Sequence, residues 1–323
     1  LYAYKGEKPF VMYHEQSNFL GDLLLQPAGL EGNGTVDLTK AKMVSPHFQF
    51  SHQSWQADSL ATHFLVPGQT AEAFVASNIG GSLDYRTRNG QFWRTGSSIA
   101  GDLKPLEYSC HTDRIQWPMD EDILQFVTAE QQKAVQEHVF DPPRMYDRDT
   151  VPPGTFFFST RAGEDSLYFA SRWATYKMRN PRLDADSVPY ILVADAVAYP
   201  KDGRTVILPE ERMLPLDSAS LVASVFKRYH RIYDANLSIK SRRRYTGKGF
   251  INYVDELDSV QVIKLDSIYI SDPHKGGATQ AFGYVAGNSN FTLSPYFAFE
   301  GRVTVDANEP NFYFSGGATP LYS

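Results

Sequence analysis

The stretch YILVADAVAYPKDGRTVILPE, residues 190–210, indicates the fold class because it places two strand-like runs on either side of a turn. Pro200 presets φ for the first central position of a turn, Asp202 can hydrogen-bond to the backbone, and Gly203 tolerates a positive φ. Small residues at 194–196 would let a neighbouring backbone come close to the centre of a strand. The stretch predicts a β-ribbon with a tight surface turn that accepts an insertion.

The same pattern recurs along most of the chain. Alternating apolar residues predict further strands at 34–44, after the turn-like EGNG at 31–34, and at 47–66 and 81–94. In the last of these, Asn89-Gly90 predicts the turn of a hairpin, because both residues tolerate a positive φ. Short strands separated by turn residues at roughly ten-residue intervals are typical of an all-β fold. We therefore expect a mainly β protein of elongated or layered ribbons, such as a β-solenoid, a β-taco or a sandwich.

One segment breaks the alternation and predicts a helical insert at 118–140. Pro118 and the acids at 120–122 suit the start of a helix, where the dipole favours negative charge. Thr128 and Gln131 have the spacing of a capping box. A proline-rich stretch then extends to residue 154.

The helical, proline-rich segment divides the chain into three predicted parts. We expect a β-rich region at 1–117, a helical and proline-rich insert or linker at 118–154, and a second β-rich region at 155–323.

Composition excludes several classes of protein. The net charge of −6 argues against general nucleic-acid binding, which requires an excess of Lys and Arg. Cys110 is the sole cysteine, so no disulfide can form within the chain. No apolar run approaches the roughly 20 residues that span a bilayer. Because the sequence begins at Leu1, we interpret it as a processed chain or a piece of a longer protein.

Several stretches of the sequence resemble known envelope proteins. Residues 29–66 resemble a repeat of translocation-and-assembly-module and AsmA-like proteins, and residues 166–207 resemble the β-ribbon units of OstA-type lipopolysaccharide-transport proteins. FINYVDELDSVQVIKLDSIYIS (250–271) and NFTLSPYFAFEGRVTVDAN (290–308) are similar to very large, β-rich envelope proteins of bacteroidete bacteria.

This resemblance implies a location in the bacterial periplasm or at the cell surface, and a long stacked-sheet body. In the better-known relatives such a body offers an apolar groove for lipid. It also implies that the partners are other envelope proteins or anionic lipid. The chain departs from those relatives in its helical, proline-rich segment at 118–154.

Candidate catalytic and metal-binding residues are few. His47 and His52 are the nearest histidines, and they lack the spacing of a zinc site. Cys110 and His111 would point to opposite faces of a strand, so they would not form a nucleophile–base pair. Asp184, Asp186 and Asp195 form a carboxylate cluster in sequence, which we interpret as corner and surface residues. We therefore predict no catalytic residue, no cofactor and no metal.

The most distinctive charge feature is a basic segment between residues 227 and 248. Its members are Lys227, Arg228, Arg231, Lys240, Arg242, Arg243, Arg244 and Lys248. If these residues share a face, they could bind the phosphates of lipid headgroups or an acidic partner. The alternative is a solvated hairpin end balanced by Asp255, Glu256 and Asp258.

Three functions remain open from the sequence. The first is a non-enzymatic structural or assembly component of a bacterial cell envelope that also handles lipid, as the resemblance implies. The second is an adhesin or glycan-binding β-module that uses exposed aromatics. Its candidate residues are Trp55, Trp93, Trp117 and Trp173. The third is a β-helix hydrolase that uses the three aspartates.

Overall fold

The computed structural model describes residues 2–3, 8–128, 146–147, 152–209, 212–273 and 275–321. These residues form antiparallel sheets that stack in two layers. The prediction of a mainly β, layered fold is confirmed. Within the described residues, the helical elements are short 3-10 turns at Lys104–Leu106, Lys201–Gly203 and Gly287–Ser289.

The first sheet contains 18 strands. They are β1 (Tyr2–Ala3), β2 (Phe10–Met12), β3 (Ser17–Gln26), β4 (Gly29–Asp37), β5 (Ala41–Phe50), β6 (Ser54–Leu65), β7 (Glu72–Asp84), β8 (Asn89–Arg94), β9 (Ile99–Leu103), β10 (Tyr108–Thr112), β11 (Arg114–Pro118), β12 (Ile123–Val127), β13 (Thr155–Ser159), β14 (Tyr168–Ser171), β15 (Trp173–Lys177), β16 (Arg182–Asp186), β19 (Thr205–Leu208) and β20 (Arg212–Met213).

The second sheet contains ten strands. They are β17 (Ile191–Val193), β18 (Ala196–Tyr199), β21 (Leu216–Ala223), β22 (His230–Ser241), β23 (Arg244–Val254), β24 (Val260–Ile270), β25 (Thr279–Val285), β26 (Thr292–Ser294), β27 (Phe297–Asp306) and β28 (Tyr313–Pro320).

Most strands bury alternate residues, as the period-two pattern predicts. In β5 this alternation is interrupted by a bulge, and a side chain compensates for the lost backbone hydrogen bonds. Pro46 and His47 are both exposed, and burial resumes at Phe48. Pro46 has no N–H to donate, so a bulge costs little at this point. The Ser45 hydroxyl accepts a hydrogen bond from the His47 N–H (3.0 Å) and donates to the Ser59 carbonyl (2.7 Å). The side chain of Ser45 therefore replaces ladder bonds that the bulge removes.

Aromatic side chains fill much of the space between the layers. Phe64 lies edge-on to Trp117, with ring centroids 5.1 Å apart, and to Phe92, at 5.7 Å. Phe74 and Phe126 make a similar contact at 5.7 Å. Such edge-to-face pairs add to the free energy gained by burying the rings. The buried apolar residues of both sheets form one continuous core.

The path of residues 190–210 differs from the predicted ribbon. Strands lie on both sides of the 200–204 turn, but they do not pair with each other: β18 pairs with β17 and β21, whereas β19 pairs with β16 and β20. The chain therefore passes from the second sheet to the first at this turn. Ala194 and Asp195, predicted at a strand centre, form the turn between β17 and β18, where Ala194 has a φ of +51°.

The start of the predicted 118–140 helix is wrong. β11 ends at Pro118, a turn follows, and β12 runs over Ile123–Val127. The acids at 120–122 belong to this turn, where Asp122 forms ion pairs with Lys40 (2.8 Å) and Arg179 (2.7 Å). The apolar residues of ILQFV fit a strand as well as a helix, and pairing of β12 with β11 and β15 selects the strand. Residues 129–140, including Gln131 of the expected capping box, lie outside the described residues.

The hairpin at 81–94 is confirmed, but its turn lies earlier than predicted. Asn89 and Gly90 already pair with Asp84 and Leu83 inside the hairpin, so the loop is 85–88. The Asp84 carboxylate accepts backbone hydrogen bonds from Arg86 (2.8 Å) and Thr87 (3.0 Å). The Thr87 bond is the main reason that the pKa of Asp84 lies below its usual range. This Asp-initiated turn is the local signal that replaces Asn-Gly.

The EGNG stretch at 31–34 is not a turn. It lies within β4, which pairs with β3 on one side and β5 on the other. Gly21 of β3 pairs with Gly34 of β4. A Cβ on Gly21 would lie 2.1 Å from the carbonyl oxygen of Asn33, and a Cβ on Gly34 would lie 2.3 Å from that of Leu20, so the strands approach each other where neither glycine can carry a side chain. Glycine here permits close backbone approach inside a sheet rather than chain reversal.

The three-part division of the chain stays a prediction. The structure shows that β10 pairs with β13 and that β12 pairs with β15. Strands before and after the 118–154 segment therefore belong to one sheet. Within the described residues, no helix has the length and apolar character needed to cross a membrane.

Candidate anion-binding cleft

The eight basic residues between 227 and 248 are all exposed. Lys227 and Arg228 lie in the turn before β22, and Arg242 and Arg243 form the turn between β22 and β23. The other four lie on the solvent-facing sides of β22 and β23. They are Arg231, Lys240, Arg244 and Lys248. The alternation of buried and exposed residues in these strands explains why their charges face water.

None of the eight basic side chains has a carboxylate oxygen within 4.0 Å among the described residues. Asp255, expected as one of their counterions, instead accepts hydrogen bonds from the backbone N–H groups of Leu257 and Ser259, at 2.9 Å each. Glu256 and Asp258 form no ion pair within the described part of the chain. The local positive charge is therefore not neutralised by the acids of the following turn.

The contacts that these cations do make are with neutral groups. Lys227 donates to the carbonyl of Asn308 (2.7 Å), Arg228 to those of Val225 (3.1 Å) and Tyr146 (3.3 Å), and Arg231 to the hydroxyl of Ser220 (3.2 Å). The guanidinium of Arg242 lies 5.3 Å from the centre of the Tyr168 ring. These contacts position four side chains and leave their charge available.

Arg242 and Arg243 line a cleft with a volume of about 630 Å³. The other lining residues are Asp165, Ala194, Asp195, Phe226, Ile270, Pro273, Gly276 and Gly277. Ile270 ends β24, and the remaining lining residues, including the two arginines, come from the loops that follow β13, β17, β21, β22 and β24. The cleft therefore combines two cations and two carboxylates with a partly apolar wall.

Two backbone hydrogen bonds fix the turn that carries the arginines. The N–H of Arg242 donates to the carbonyl of Glu164 (3.0 Å), and the carbonyl of Arg242 accepts from the N–H of Ala194 (2.7 Å). The turn is thereby tied both to the loop between β13 and β14 and to the turn between β17 and β18. The Arg242 guanidinium is held further by the cation–π contact with Tyr168. Arg243 makes no side-chain contact of this kind within the described residues.

Asp195 is held in place by two hydrogen bonds from Thr279. Its carboxylate accepts from the backbone N–H of Thr279 (3.0 Å) and from the Thr279 hydroxyl (2.5 Å). Because the Thr279 hydroxyl donates its single proton to Asp195, it must accept the bond from Tyr245, whose oxygen lies 2.6 Å away. Burial raises the pKa of Tyr245, so the phenol remains protonated and able to donate. The carboxylate thus fixes the cleft wall.

The other two predicted carboxylates lie elsewhere. Asp184 and Asp186 are both on β16, in the first sheet. Asp184 contacts Arg182 (2.7 Å) and Lys177 (2.9 Å), and Asp186 contacts Arg204 (3.3 Å). Neither lines the cleft. The second carboxylate of the cleft is Asp165, which the sequence did not single out.

The tryptophans do not form an exposed aromatic platform. Trp55 and Trp117 are buried in the core, with 1% of their surface exposed, and Trp93 and Trp173 are half-buried. The prediction that these four side chains are exposed is wrong. Trp55 and Trp117 belong to the core, whereas Trp93 and Trp173 point to the other face of their strands and are only half-buried. The exposed aromatic that borders the cleft is Phe226, at 77% exposure.

Cys110 and His111 do not form a reactive pair. Cys110 is buried and His111 is exposed, on opposite faces of β10 as predicted. Burial raises the pKa of the Cys110 thiol. Among the described residues, no group of three His, Cys, Asp or Glu side chains is close enough to hold a metal ion.

The sequence identified the cations but not the rest of the cleft. Phe226 stands directly before Lys227 and Arg228. An aromatic residue beside a basic pair was therefore the sequence feature that could have identified Phe226 as part of the site. Asp165 lines the cleft from a loop in which its φ is +52°, and the sequence reveals neither this backbone conformation nor the position of the side chain.

Comparisons with protein-family models, with curated proteins and with solved structures gave no match. The site must therefore be interpreted from its own geometry.

Proposed function

We propose that this chain is a non-enzymatic binding and assembly component of a bacterial cell envelope, and that its cleft binds the anionic headgroup of a lipid. The observation that carries the proposal is the set of eight exposed cations that lack carboxylate partners among the described residues. Two of them, Arg242 and Arg243, face a cleft of about 630 Å³. Guanidinium groups suit phosphate because they offer paired N–H donors.

The apolar side of the cleft favours a lipid over a free inorganic anion. Phe226, Ile270 and Pro273 line the same space as the two arginines. A headgroup phosphate could contact the arginines while the first carbons of the lipid contact the apolar wall. The core between the layers is filled by packed side chains, so we propose surface recognition of the headgroup rather than enclosure of acyl chains.

The envelope location rests on the resemblance of 29–66 and 166–207 to envelope proteins. A non-enzymatic role is favoured because the three aspartates proposed for a hydrolase are not brought together. Asp195 lines the cleft, whereas Asp184 and Asp186 lie on β16 of the first sheet and do not line it.

The proposal is tested by sedimentation with vesicles that contain either neutral lipid alone or neutral lipid mixed with an anionic phospholipid. The wild type should bind only the anionic vesicles. The combined substitution R242Q, R243Q and R244Q should reduce that binding by tenfold or more, since each lost phosphate contact weakens charge-assisted bonding.

A matched control removes the same charge elsewhere. The combined substitution K42Q, R86Q and K104Q changes three exposed cations of the first sheet and should leave vesicle binding unchanged. Asp165→Asn should strengthen binding, because it removes a negative charge from the cleft without shortening the side chain. Inorganic phosphate should displace the protein from anionic vesicles less effectively than the anionic phospholipid does. If the two compete equally well, the cleft is a phosphate site rather than a lipid site. Equal loss of binding in the two triple variants would overturn the proposal.

A further inference from the structure

The edge strands of the two sheets differ sharply in length. Six strands pair on one side only among the described residues and have two to four residues each. They are β1, β2, β14, β17, β20 and β26. Within the described part of the chain, β28 also pairs on one side only, with β27, and it has eight residues. Short edge strands are one way in which proteins avoid pairing with other chains, and β28 lacks this protection.

β28 also lacks the other features that protect an edge. Its sequence YFSGGATP contains no charged residue, and its only proline is the last residue, Pro320. It pairs with β27 from Tyr313 to Pro320 without a register shift, so no bulge turns the edge away. Seven of its eight residues are exposed. Among the described residues nothing pairs with the outer backbone groups of β28, so they are open to a further strand.

The two ends of β28 carry exposed apolar side chains that would meet in an antiparallel pair of identical strands. Tyr313, at one end, is 54% exposed. At the other end, Leu321 directly follows β28 and is 47% exposed. Around a two-fold axis at the centre of the strand, Tyr313 of each copy would lie beside Pro320 and Leu321 of the other copy. An isologous interface of this kind needs a surface that complements itself, and an uncharged strand opposes no like charges.

We propose that β28 pairs antiparallel with β28 of a second copy of this chain, so that two ten-stranded sheets become one continuous sheet. The pairing is independent of the cleft and of its ligand. A single added strand buries less than the roughly 1,600 Å² of a standard interface. We therefore expect a dissociation constant in the micromolar range.

Gly316 and Gly317 lie at the centre of β28, and a substitution at one of them can test the pairing without disturbing the fold of the single chain. A Cβ on Gly316 would lie 2.1 Å from the carbonyl oxygen of Glu300, so a side chain there would disturb the sheet. A Cβ on Gly317 meets nothing within 4 Å, and Gly317 has no positive φ. A side chain at 317 therefore fits the single chain. In the paired strands, the two copies of residue 317 would lie close to the two-fold axis, as direct or diagonal neighbours.

The experiment measures mass by sedimentation velocity from low micromolar to several hundred micromolar protein. The wild type and Gly317→Ala should both form dimers. Gly317→Lys alone and Gly317→Glu alone should raise the dissociation constant tenfold or more, because like charges face each other at the axis. A mixture of the two charged variants should dimerise again, since the charges are then opposite. Circular dichroism should show the same strand content for all variants.

Three results would overturn the pairing. One is a wild type that stays monomeric across the whole range. Another is a dimer that Gly317→Lys leaves intact. The third is a failure of the mixed charged variants to associate when each alone is folded and monomeric. Binding of a synthetic YFSGGATP peptide by a wild type that does not dimerise would also count against a second copy as the occupant.

Discussion

Thr279 lies in the middle of a hydrogen-bond chain that joins the buried phenol of Tyr245 to the carboxylate of Asp195. Thr279→Val keeps the shape of the side chain but removes both bonds, so a buried hydroxyl and a half-buried carboxylate lose a partner. We expect the free energy of unfolding to fall by about 1–3 kcal/mol. Denaturation with urea measures this change.

Two controls separate the hydrogen-bond chain from a general effect of substitution. Tyr245→Phe removes the phenol and leaves the bond from Thr279 to Asp195, so it should cost only about 0.5–1.5 kcal/mol. Thr246→Val, on an exposed site of β23, should change stability by less than about 0.5 kcal/mol. A Thr279→Val protein as stable as the wild type would contradict the proposed chain.

Asp184 and Asp186 are neighbours on one face of β16 and should affect stability with opposite signs. Burial alone would raise the pKa of Asp184, but hydrogen bonds from Arg182 and Lys177 outweigh it and hold the pKa below its usual range. For Asp186, burial dominates and raises the pKa despite the nearby Arg204. The charged form of Asp184 therefore stabilises the fold, and the charged form of Asp186 destabilises it.

The pH dependence follows from these directions. The contribution of Asp184 is present above the carboxyl pKa of the unfolded chain, near 3.9, and is lost as pH falls through the lower folded pKa. Asp184→Asn should therefore be less stable than the wild type at neutral pH, by about 0.2–1 kcal/mol, with the difference shrinking in acid. Asp186→Asn should be at least as stable as the wild type at neutral pH. Thermal unfolding across the acid range measures both, and a common sign for the two variants would refute the assignment.

The 200–204 turn connects the two sheets, so an insertion there should be harmful. Gly203 is buried, and its carbonyl accepts a hydrogen bond from the N–H of Val188 (2.9 Å). Two glycines inserted after Asp202 would displace this contact and should cost about 1–3 kcal/mol. This reverses the tolerance expected from the turn residues alone.

The same two-residue insertion after Gly96 serves as the control. Gly96 lies in an exposed loop between β8 and β9, where an added Cβ meets nothing within 4 Å. Loop lengthening at such a site costs little entropy. Denaturant midpoints of the two insertion variants measure the difference, and equal midpoints would show that the turn between the sheets is as free as a surface loop.

Strands were predictable from the sequence because burial on one face leaves a period-two pattern in each short segment. Their partners were not, because pairing depends on residues distant in the chain. The run at 190–199 was correctly expected to be β, yet nothing local showed that 205–208 joins the other sheet. ILQFV at 123–127 was mistaken for a helix because a five-residue apolar run fits both periods.

The candidate site, like the fold, has a part that could be predicted from the sequence and a part that could not. The basic segment was identifiable because clustered charge is a local property of the sequence. The cleft was not, because it forms where the Arg242 backbone meets Glu164 and Ala194. The buried state of Trp55 and Trp117 likewise depends on the second layer, which a single strand does not reveal.

The continuous core predicts that the two sheets unfold together. All four tryptophans lie on strands of the first sheet, so their fluorescence reports that sheet. Leu237 is fully buried on β22 of the second sheet. Leu237→Ala should lower the free energy of unfolding by about 2–5 kcal/mol and shift the fluorescence transition by the same amount as the circular dichroism transition.

Phe64→Ala, on β6 of the first sheet, is the matched variant. Phe64 is fully buried, and its loss should cost about 3–5 kcal/mol and again shift both signals together. If Leu237→Ala moved only the circular dichroism signal, the sheets would be separate cooperative units.

Vesicle binding should weaken steeply with salt, because the whole chain and its basic segment have opposite charge. The net charge is −6, so an anionic surface repels the molecule as a whole but attracts the basic segment at 227–248. The Debye length falls from about 10 Å at 0.1 M salt to about 3 Å at 1 M, which screens exposed cations from a lipid surface. Wild-type binding to anionic vesicles should therefore be lost at high salt, whereas the R242Q, R243Q and R244Q variant should bind weakly throughout. Sedimentation across a salt series measures both curves. Wild-type binding that persists unchanged at 1 M salt would mean that apolar contacts at Phe226 hold the lipid, and the cationic role would then be wrong.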